Sequence, residues 1–152
     1  QTFPVGEYDF DAVGWANRIV IPYQNGFQVR YEYDPSTNTY WRFMAGQLHH
    51  DPGLGGPITT QNVIVQFVPS FLTDIVEDIY GSRSLDYRLQ GEGPAWIFRD
   101  GALIEATWHR DNPVHFTTYY DVFGRSIPLA PGSVWVSLVA PEMPVQAWWE
   151  EA

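Results

Sequence analysis

Two histidines and an aspartate stand side by side at His49-His50-Asp51, and these residue types are good ligands for a metal ion. His109 and His115 can supplement them across the fold. The spacing matches no standard zinc motif, however, and adjacent residues of a strand point to opposite faces of its sheet. We therefore favour a solvated loop at this point and assign no metal ligand.

Acidic residues offer a second kind of chemistry, because a pair of carboxylates can hydrolyse a glycan by general acid–base catalysis. Glu92 lies between Gly91 and Gly93, and Glu105 follows in the next predicted strand. Glycines permit the unusual backbone angles that functional loops use. The alternative, which we favour, is that the two glycines form a bulge and that Glu92 pairs with an arginine. The candidate partners are Arg88, Arg99 and Arg110.

Other catalytic arrangements are missing from the sequence. No Gly-x-Ser-x-Gly motif occurs, and no serine has the histidine and aspartate pattern of a nucleophilic triad around it. The glycine-rich run at 53–56 lacks the lysine of a phosphate-binding loop. Cysteine is absent, which excludes thiol catalysis and cysteine metal sites within this chain. We predict no catalytic residue and no cofactor.

Tryptophan and arginine occur close together at three points in the chain. Sugar-binding surfaces stack aromatic rings on the apolar faces of sugars and place planar guanidinium groups beside the hydroxyls. The alternative is that the rings form the core of a small sandwich. The pairs are Trp41 with Arg42, Trp96 with Arg99 and Trp108 with Arg110. As candidate ligand-binding residues we select Arg42, Glu92, Trp96, Trp108 and Arg110.

The composition indicates an acidic globular domain. The 152 residues are 45% apolar and 16% aromatic, enough for a substantial core without disulfides. A net charge of −10 argues against binding to nucleic acid or to anionic membrane surfaces. No window approaches the roughly 18 consecutive apolar residues of a membrane-spanning helix, so we expect no direct membrane insertion by this chain.

Hydrophobic periodicity predicts a series of short strands. Residues 27–33 alternate between apolar and polar, residues 34–38 form a turn, and residues 40–45 return as the second arm of a hairpin. Residues 63–68 are apolar except for Gln66, as expected of a central strand. Asp100-Gly101 between two strand-like runs predicts a type I′ hairpin, because glycine accepts the positive φ of that turn. Further strands are predicted at 18–23, 85–89, 115–120 and 134–139, a short helix at 71–80 and a helical turn near 11–15.

Short strands at regular spacing predict a mainly β fold, either an antiparallel sandwich or a partly open barrel, with one or two short helices. We divide the chain into a lead-in at 1–17, a single β-rich domain at 18–140 and an extended tail at 141–152. In that tail, Trp148 and Trp149 are candidates for docking onto the domain.

An ordered set of short motifs runs through most of the chain. The motifs are Ile19-Val20-Ile21-Pro22-Tyr23, Val29-x-Tyr31-x-Tyr33-Asp34, Tyr40-x-Arg42, Asp51, Gln61-Asn62-Val63-Ile64-Val65-Gln66, Gly91-Glu92-Gly93-x-Ala95, Phe98-Arg99-Asp100-Gly101, Thr107-Trp108-His109-Arg110, Asp121-x-x-Gly124 and Leu129-x-Pro131-Gly132-x-x-Trp135. No single motif is specific, but in this order they resemble the C-terminal domain of the YerB-like lipoprotein family, a bacterial domain of unknown function. That family often has a lysine where this chain has His109, which argues against a catalytic role there.

The resemblance implies a location and an architecture rather than an activity. It implies an extracytoplasmic protein, anchored to the membrane through a lipidated N-terminal segment absent from this sequence, with a further domain ahead of this one. Three functions stay open. They are a non-catalytic module that binds a cell-wall glycan or an envelope protein, a glycan hydrolase that uses Glu92 with a second carboxylate, and a structural support for the missing N-terminal domain.

Overall fold

The computed structural model describes residues 6, 14–23, 28–51, 53, 56–68, 91–110 and 117–151. All regular structure within these ranges is β-strand. The strands, numbered along the chain, are β1 (Gly14–Trp15), β2 (Arg18–Pro22), β3 (Gln28–Asp34), β4 (Thr39–Met44), β5 (Gln47–Leu48), β6 (His50–Asp51), β7 (Gly56–Pro57), β8 (Thr59–Thr60), β9 (Asn62–Phe67), β10 (Gly91–Arg99), β11 (Ala102–Arg110), β12 (Thr118–Asp121), β13 (Val134–Val139) and β14 (Gln146–Trp148). The predicted mainly β fold is confirmed.

Twelve of the fourteen described strands form two six-stranded sheets that pack as a sandwich and, in the described part of the chain, do not close into a barrel. The other two, β6 and β7, pair with each other in a small separate sheet. Sheet I has the order β1-β11-β10-β9-β13, with β12 also paired to β11. Sheet II has the order β14-β2-β3-β4-β5, with β8 also paired to β4. One pairing departs from the expected antiparallel pattern, because β13 runs parallel to β9. Parallel neighbours need a long crossover, and the chain between Phe67 and Val134 supplies it.

Sheet I is buried on both faces, which explains the nearly continuous apolar run of its central strand β9. One face forms the inter-sheet core with sheet II, where Val63, Val65 and Phe98 meet Ile19 and Tyr31. The other face forms a second core around Trp108, which includes Ile97, Ile104, Tyr119, Ile127 and Leu129. Gln66 points into this second core, where its Oε1 accepts a hydrogen bond from the Tyr119 hydroxyl at 2.7 Å.

The predicted Asp100-Gly101 hairpin is present, with φ of 53° at Asp100 and 80° at Gly101. Its register pairs Arg99 with Ala102, so β10 and β11 form a nine-residue ladder. The turn at 35–38 of sheet II lies against it, and Asn38 Nδ2 donates to Asp100 Oδ1 at 2.8 Å. The hydrogen bond between these two turns therefore also connects the two sheets.

Both flanks of the predicted domain contribute strands to the sheets. Gly14–Trp15 forms a strand on β11 instead of the expected helical turn, whose remaining residues lie outside the described ranges. In the tail, β14 pairs with β2, and Asn17 and Glu150 exchange two hydrogen bonds of 2.9 and 2.7 Å. Trp148 thus docks as part of sheet II. The predicted helix at 71–80 and strand at 85–89 lie outside the described residues.

Candidate functional site

The five predicted ligand-binding residues do not converge on one site. Arg42 is buried between the sheets, and Trp96 is half-buried in the inter-sheet core, with its ring edge-on to Phe67 at 5.5 Å. Trp108 and Arg110 are buried on the opposite face of sheet I. Glu92 is exposed near the start of β10. A single sugar-binding surface made from all five is therefore excluded by their positions.

Trp108 is a core residue with 1% of its surface exposed. Its indole Nε1 donates to the Phe67 carbonyl oxygen at 2.7 Å, which satisfies the polar atom of the buried ring. Gly93 lies directly opposite Trp108 in the ladder, and a Cβ at this position would lie 2.8 Å from Nε1 and 3.1 Å from the same carbonyl. Gly93 therefore makes room for the buried indole, and the ring is not available to stack on a ligand.

Glu92 pairs with His109 across the β10–β11 ladder, while Glu105 pairs with Trp96. The two glutamates are therefore four ladder positions apart, roughly 13 Å along the strands. Both are exposed on the sheet surface. The ordered carboxylate pair that hydrolysis requires is not found here among the described residues. Glu92 also forms no ion pair within that part of the chain.

Arg42 is the most unusual charged group in the described structure, because it is 8% exposed and has no carboxylate partner among the described residues. Its Nε donates to the Tyr31 hydroxyl at 3.2 Å, and its Nη1 donates to His49 Nδ1 at 2.7 Å. Its guanidinium carbon lies 4.5 Å from the ring centroid of Trp135. We call Arg42, Tyr31, His49 and Trp135 the edge site, since they lie where β13 of sheet I faces β4 and β5 of sheet II.

The partners of Arg42 in the edge site are all neutral. An arginine can only donate, so His49 Nδ1 must be an unprotonated acceptor. Burial raises the pKa of the Tyr31 hydroxyl, and the nearby Arg42 offsets that rise only in part. Tyr31 also shares a 2.9 Å hydrogen bond with Ser137 Oγ, which connects the edge site to β13. Within the described side chains, the positive charge of Arg42 is therefore held by dipoles and a π face.

No group of three or more metal-ligating side chains occurs in the described ranges. His49 and His50 diverge, since His49 faces Arg42 whereas His50 is exposed. The predicted loop is interrupted by a short strand at this point, because His50–Asp51 forms β6 and pairs with β7. Likewise, no described helix is long and apolar enough to cross a bilayer.

The outer face of sheet II carries aromatic and charged side chains at neighbouring ladder positions. Trp148 pairs with Arg18, Arg18 with Glu32, and Glu32 with Trp41, so these four residues form one line across β14, β2, β3 and β4. We call this line the outer row. The side chains of Arg18 and Glu32 are 25% and 30% exposed, and Trp148 is 39% exposed. Trp41 is half-buried, and its indole Nε1 is buried without a partner among the described residues. The row is therefore partly accessible from solvent, most of all at Trp148.

A second row lies beside the outer row and reinforces it. Val20 pairs with Arg30, and Arg30 with Phe43. The Arg30 guanidinium lies 4.5 Å from the Phe43 ring centroid and 2.7 Å from a carboxylate oxygen of Glu32. These contacts hold the Glu32 and Arg30 side chains in place on the sheet surface.

Comparison with known proteins gives a family but no activity. A family model described as the C-terminal domain of a protein of unknown function, DUF3048, matches residues 19–136. The chain belongs to this family. It is also similar to the crystal structure of the YerB protein from Bacillus subtilis, with a TM-score of 0.67 and 24% sequence identity over 91% of this chain and 46% of that chain. No curated protein matches it.

The comparison confirms the resemblance that the ordered motifs indicated. At this identity, the likeness to YerB supports the fold of the DUF3048 C-terminal domain rather than any shared chemistry. This chain spans about half the length of the YerB chain.

Sequence reasoning selected Arg42 but missed most of its neighbours in this DUF3048 C-terminal domain. The alternation at 27–33 places Tyr31 on the apolar face of its strand, His49 is a metal-ligand candidate in the sequence, and Trp135 occurs only within a motif. One signal was available, because Arg42 alternates with Tyr40 and Met44 on the inward face of β4. Of the outer row, only Trp41 is a candidate in the sequence. The row could not be predicted because it forms only when β14 of the tail pairs with β2.

An exposed apolar turn joins β12 to the segment that follows it. Val122 and Phe123 are 73% and 67% exposed at its tip. The Asp121 carboxylate beneath them accepts from the backbone N–H groups of Phe123 and Arg125, each at 2.9 Å. The Arg125 side chain adds a further bond to Asp121 at 2.9 Å. The turn therefore presents two apolar side chains on a fixed backbone.

Proposed function

We propose that this domain is a non-catalytic binding module of a bacterial envelope protein and that it holds a cell-wall glycan on the outer face of sheet II. The observation that carries the proposal is the outer row, in which Trp148, Arg18, Glu32 and Trp41 occupy successive strands in register. The domain would lie outside the cytoplasmic membrane, as part of a protein that is anchored to the membrane through another segment.

The side chains of the outer row suit a sugar polymer. Indole rings offer apolar surface to the C–H faces of sugars, while guanidinium and carboxylate groups donate to and accept from hydroxyls. The row contains both kinds of group within four adjacent strands, where neighbouring strands lie about 4.8 Å apart. A row that crosses four strands accommodates an extended chain better than a single sugar.

The net charge of −10 bears on which polymer the row would bind. A protein of this charge repels polyanions at long range, which disfavours nucleic acids and strongly acidic polymers. Peptidoglycan carries a neutral sugar backbone, so its glycan strands fit the outer row better than those polymers do.

The direct test is co-sedimentation of the domain with purified peptidoglycan, followed by analysis of the supernatant for released fragments. We expect binding without release. Trp148→Ala should weaken binding by about tenfold, which corresponds to about 1.4 kcal/mol for one lost stacking contact. Trp149→Ala is the matched control, because Trp149 is 44% exposed and lies outside the outer row.

Three results would argue against the proposal. An equal loss of binding in both tryptophan variants would indicate non-specific adsorption through exposed rings. Absence of binding by the wild-type domain would shift support to an envelope protein as partner. Release of soluble fragments that stops in Glu92→Gln would support the hydrolase alternative instead. Cell fractionation of the native protein tests the proposed location separately.

A supporting role beside a second domain is favoured by a different observation, the exposed Val122–Phe123 turn. Adjacent apolar side chains on a rigid turn are typical of a small contact surface. The YerB chain is about twice as long as the part that matches here, so that protein has further residues against which such a turn could pack. In a longer protein that contains this chain, replacing Val122 and Phe123 by serine should increase proteolysis between this domain and its neighbour if the turn makes this contact. Unchanged proteolysis would contradict it.

A further inference from the structure

Among the described side chains, the edge site holds a buried positive charge without a carboxylate beside it. Taking a guanidinium out of water is costly unless a counter-ion or a full set of acceptors replaces the water. Arg42 is 8% exposed, and the described residues provide it with no carboxylate. A hydrophobic residue of similar size would fill the same space without this cost.

The hydrogen bonds of Arg42 leave part of its donor set unused. A guanidinium has five N–H donors. One is used by the Tyr31 hydroxyl and one by His49 Nδ1. Nη2 has no hydrogen-bond partner within the described residues. This end of the group is therefore the one left to donate to a ligand.

The surroundings of Arg42 fix its orientation. Trp135 lies 4.5 Å beneath the guanidinium, and His49 stands at a steep angle to the same indole, with 6.2 Å between ring centroids. The Tyr31 hydroxyl and Ser137 Oγ close the inner side of the site. Because Nε and Nη1 are already held, binding at Nη2 requires little further ordering of the side chain.

We propose that the edge site binds the carboxylate of a ligand, with Arg42 as the residue that holds it. A single guanidinium with no second cation matches a monoanion, and the remaining N–H groups suit the two oxygens of a carboxylate. The net charge of −10 disfavours dianions such as phosphate. The chemistry fits either the carboxylate of an acidic sugar or that of a peptide C-terminus.

The edge site is separate from the outer row. Arg42 faces inward from β4, whereas Trp41 faces outward from the same strand, as the period of a strand requires. The carboxylate proposal therefore stands independently of the proposed glycan binding. Trp148→Ala, which tests the outer row, should leave carboxylate binding unchanged.

The test uses two pairs of probes that differ only in the acidic group. N-acetylmuramic acid is compared with N-acetylglucosamine, and N-acetyl-alanyl-alanine with its C-terminal amide. Binding is followed by NMR, through the indole N–H of Trp135 and the side-chain N–H signals of Arg42. We expect the acids to shift these signals and the neutral partners to leave them in place. Whichever acid binds more tightly identifies the source of the carboxylate.

The variants separate a ligand role from a structural one. Arg42→Gln should weaken binding of the acid by about 10- to 100-fold, the usual value of a hydrogen bond to a charged group. Arg42→Lys keeps the charge but loses the planar fork, so it should recover only part of the affinity. If Arg42→Gln does not fold, the comparison of acid with neutral probe on the wild-type protein still decides the question. Equal responses to acid and neutral probe, or none to either, would overturn the proposal, as would stronger binding of inorganic phosphate.

Discussion

The indole Nε1 of Trp108 donates to the backbone carbonyl oxygen of Phe67 at 2.7 Å, and this bond joins β11 to the end of β9 across the intervening strand β10. Gly93 of β10 lies between the two partners. The bond fixes a large ring in the second core. Because the ring and the carbonyl oxygen lie close to Gly93, a larger residue at that position would force them to move.

Removing the Trp108 ring should destabilise the domain strongly. Trp108→Ala creates a cavity in the second core and should lower the free energy of unfolding by about 3–5 kcal/mol. Trp108→Phe keeps most of the volume but leaves the Phe67 carbonyl unpaired, at a cost of about 1–2 kcal/mol. Urea denaturation measures both. Trp149→Ala, at an exposed ring, should stay within about 0.5 kcal/mol of wild type. Equal effects at the two positions would contradict the core assignment.

Adding one methyl group at Gly93 should also be destabilising. Its Cβ would lie 2.8 Å from Trp108 Nε1, so Gly93→Ala should cost about 1–3 kcal/mol through overpacking. The same change at Gly14 meets no atom within 4 Å and provides the control. In a double-mutant cycle, the cost of Gly93→Ala should shrink when Trp108 is already phenylalanine. Additive costs would show that the two residues do not interact.

Stability should fall at alkaline pH because of buried tyrosines. Burial raises the pKa of the Tyr40 hydroxyl well above the ordinary value of 10.0, and it raises that of Tyr31 in the same direction. Below pH 10 both hydroxyls are protonated in the folded and the unfolded chain, so their contribution is fully present. As pH rises further, the unfolded chain loses these protons first, and stability drops by about 1.4 kcal/mol per pH unit for each tyrosine.

Tyr40→Phe provides the check on this pH dependence. Near neutral pH the variant should be less stable by about 1 kcal/mol, because the Gly101 N–H loses its 3.0 Å acceptor. Above pH 10 its stability should decline less steeply than that of wild type. Urea denaturation at a series of pH values measures both effects, and parallel curves throughout would rule out Tyr40 as a contributor.

The Asp121 carboxylate should stabilise the exposed turn. It accepts two backbone N–H groups and one from the Arg125 side chain, and its own side chain is 3% exposed. Asp121→Ala should cost about 1 kcal/mol in urea denaturation because three part-buried donors lose their acceptor. Asp121→Asn retains one acceptor oxygen and should cost less. Equal stability of the alanine variant and wild type would show that the turn is held by other contacts.

The sequence predicted the parts of the fold that depend on local chemistry. Asp100-Gly101 specifies its own turn, and the alternation on β3 places Val29 and Tyr31 in the core. The parallel pairing of β9 with β13 was not predictable in the same way, because no residue in either strand encodes its distant partner. The same holds for β14, whose addition to β2 places Trp148 beside Arg18.

The candidate sites were less predictable than the fold. A cluster of tryptophan and arginine in sequence suggested a shared surface, yet strand alternation sends Trp96 and Trp108 to opposite faces of sheet I. The edge site combines Arg42 and His49 with Trp135, which comes from the other sheet. Only tertiary packing brings these side chains together, so their proximity has no signature in the linear order of residues.

Both sheets take a strand from the segment that begins at Val134, β13 in sheet I and β14 in sheet II. During synthesis on the ribosome, β9 and β2 therefore emerge long before the strands that cover their edges. Until those strands are made, β9 and β2 each have an unpaired edge. The edge of β9 is the more apolar, because only Asn62 and Gln66 in this strand are polar. Folding of this domain should thus be completed only after the last strands have been synthesised.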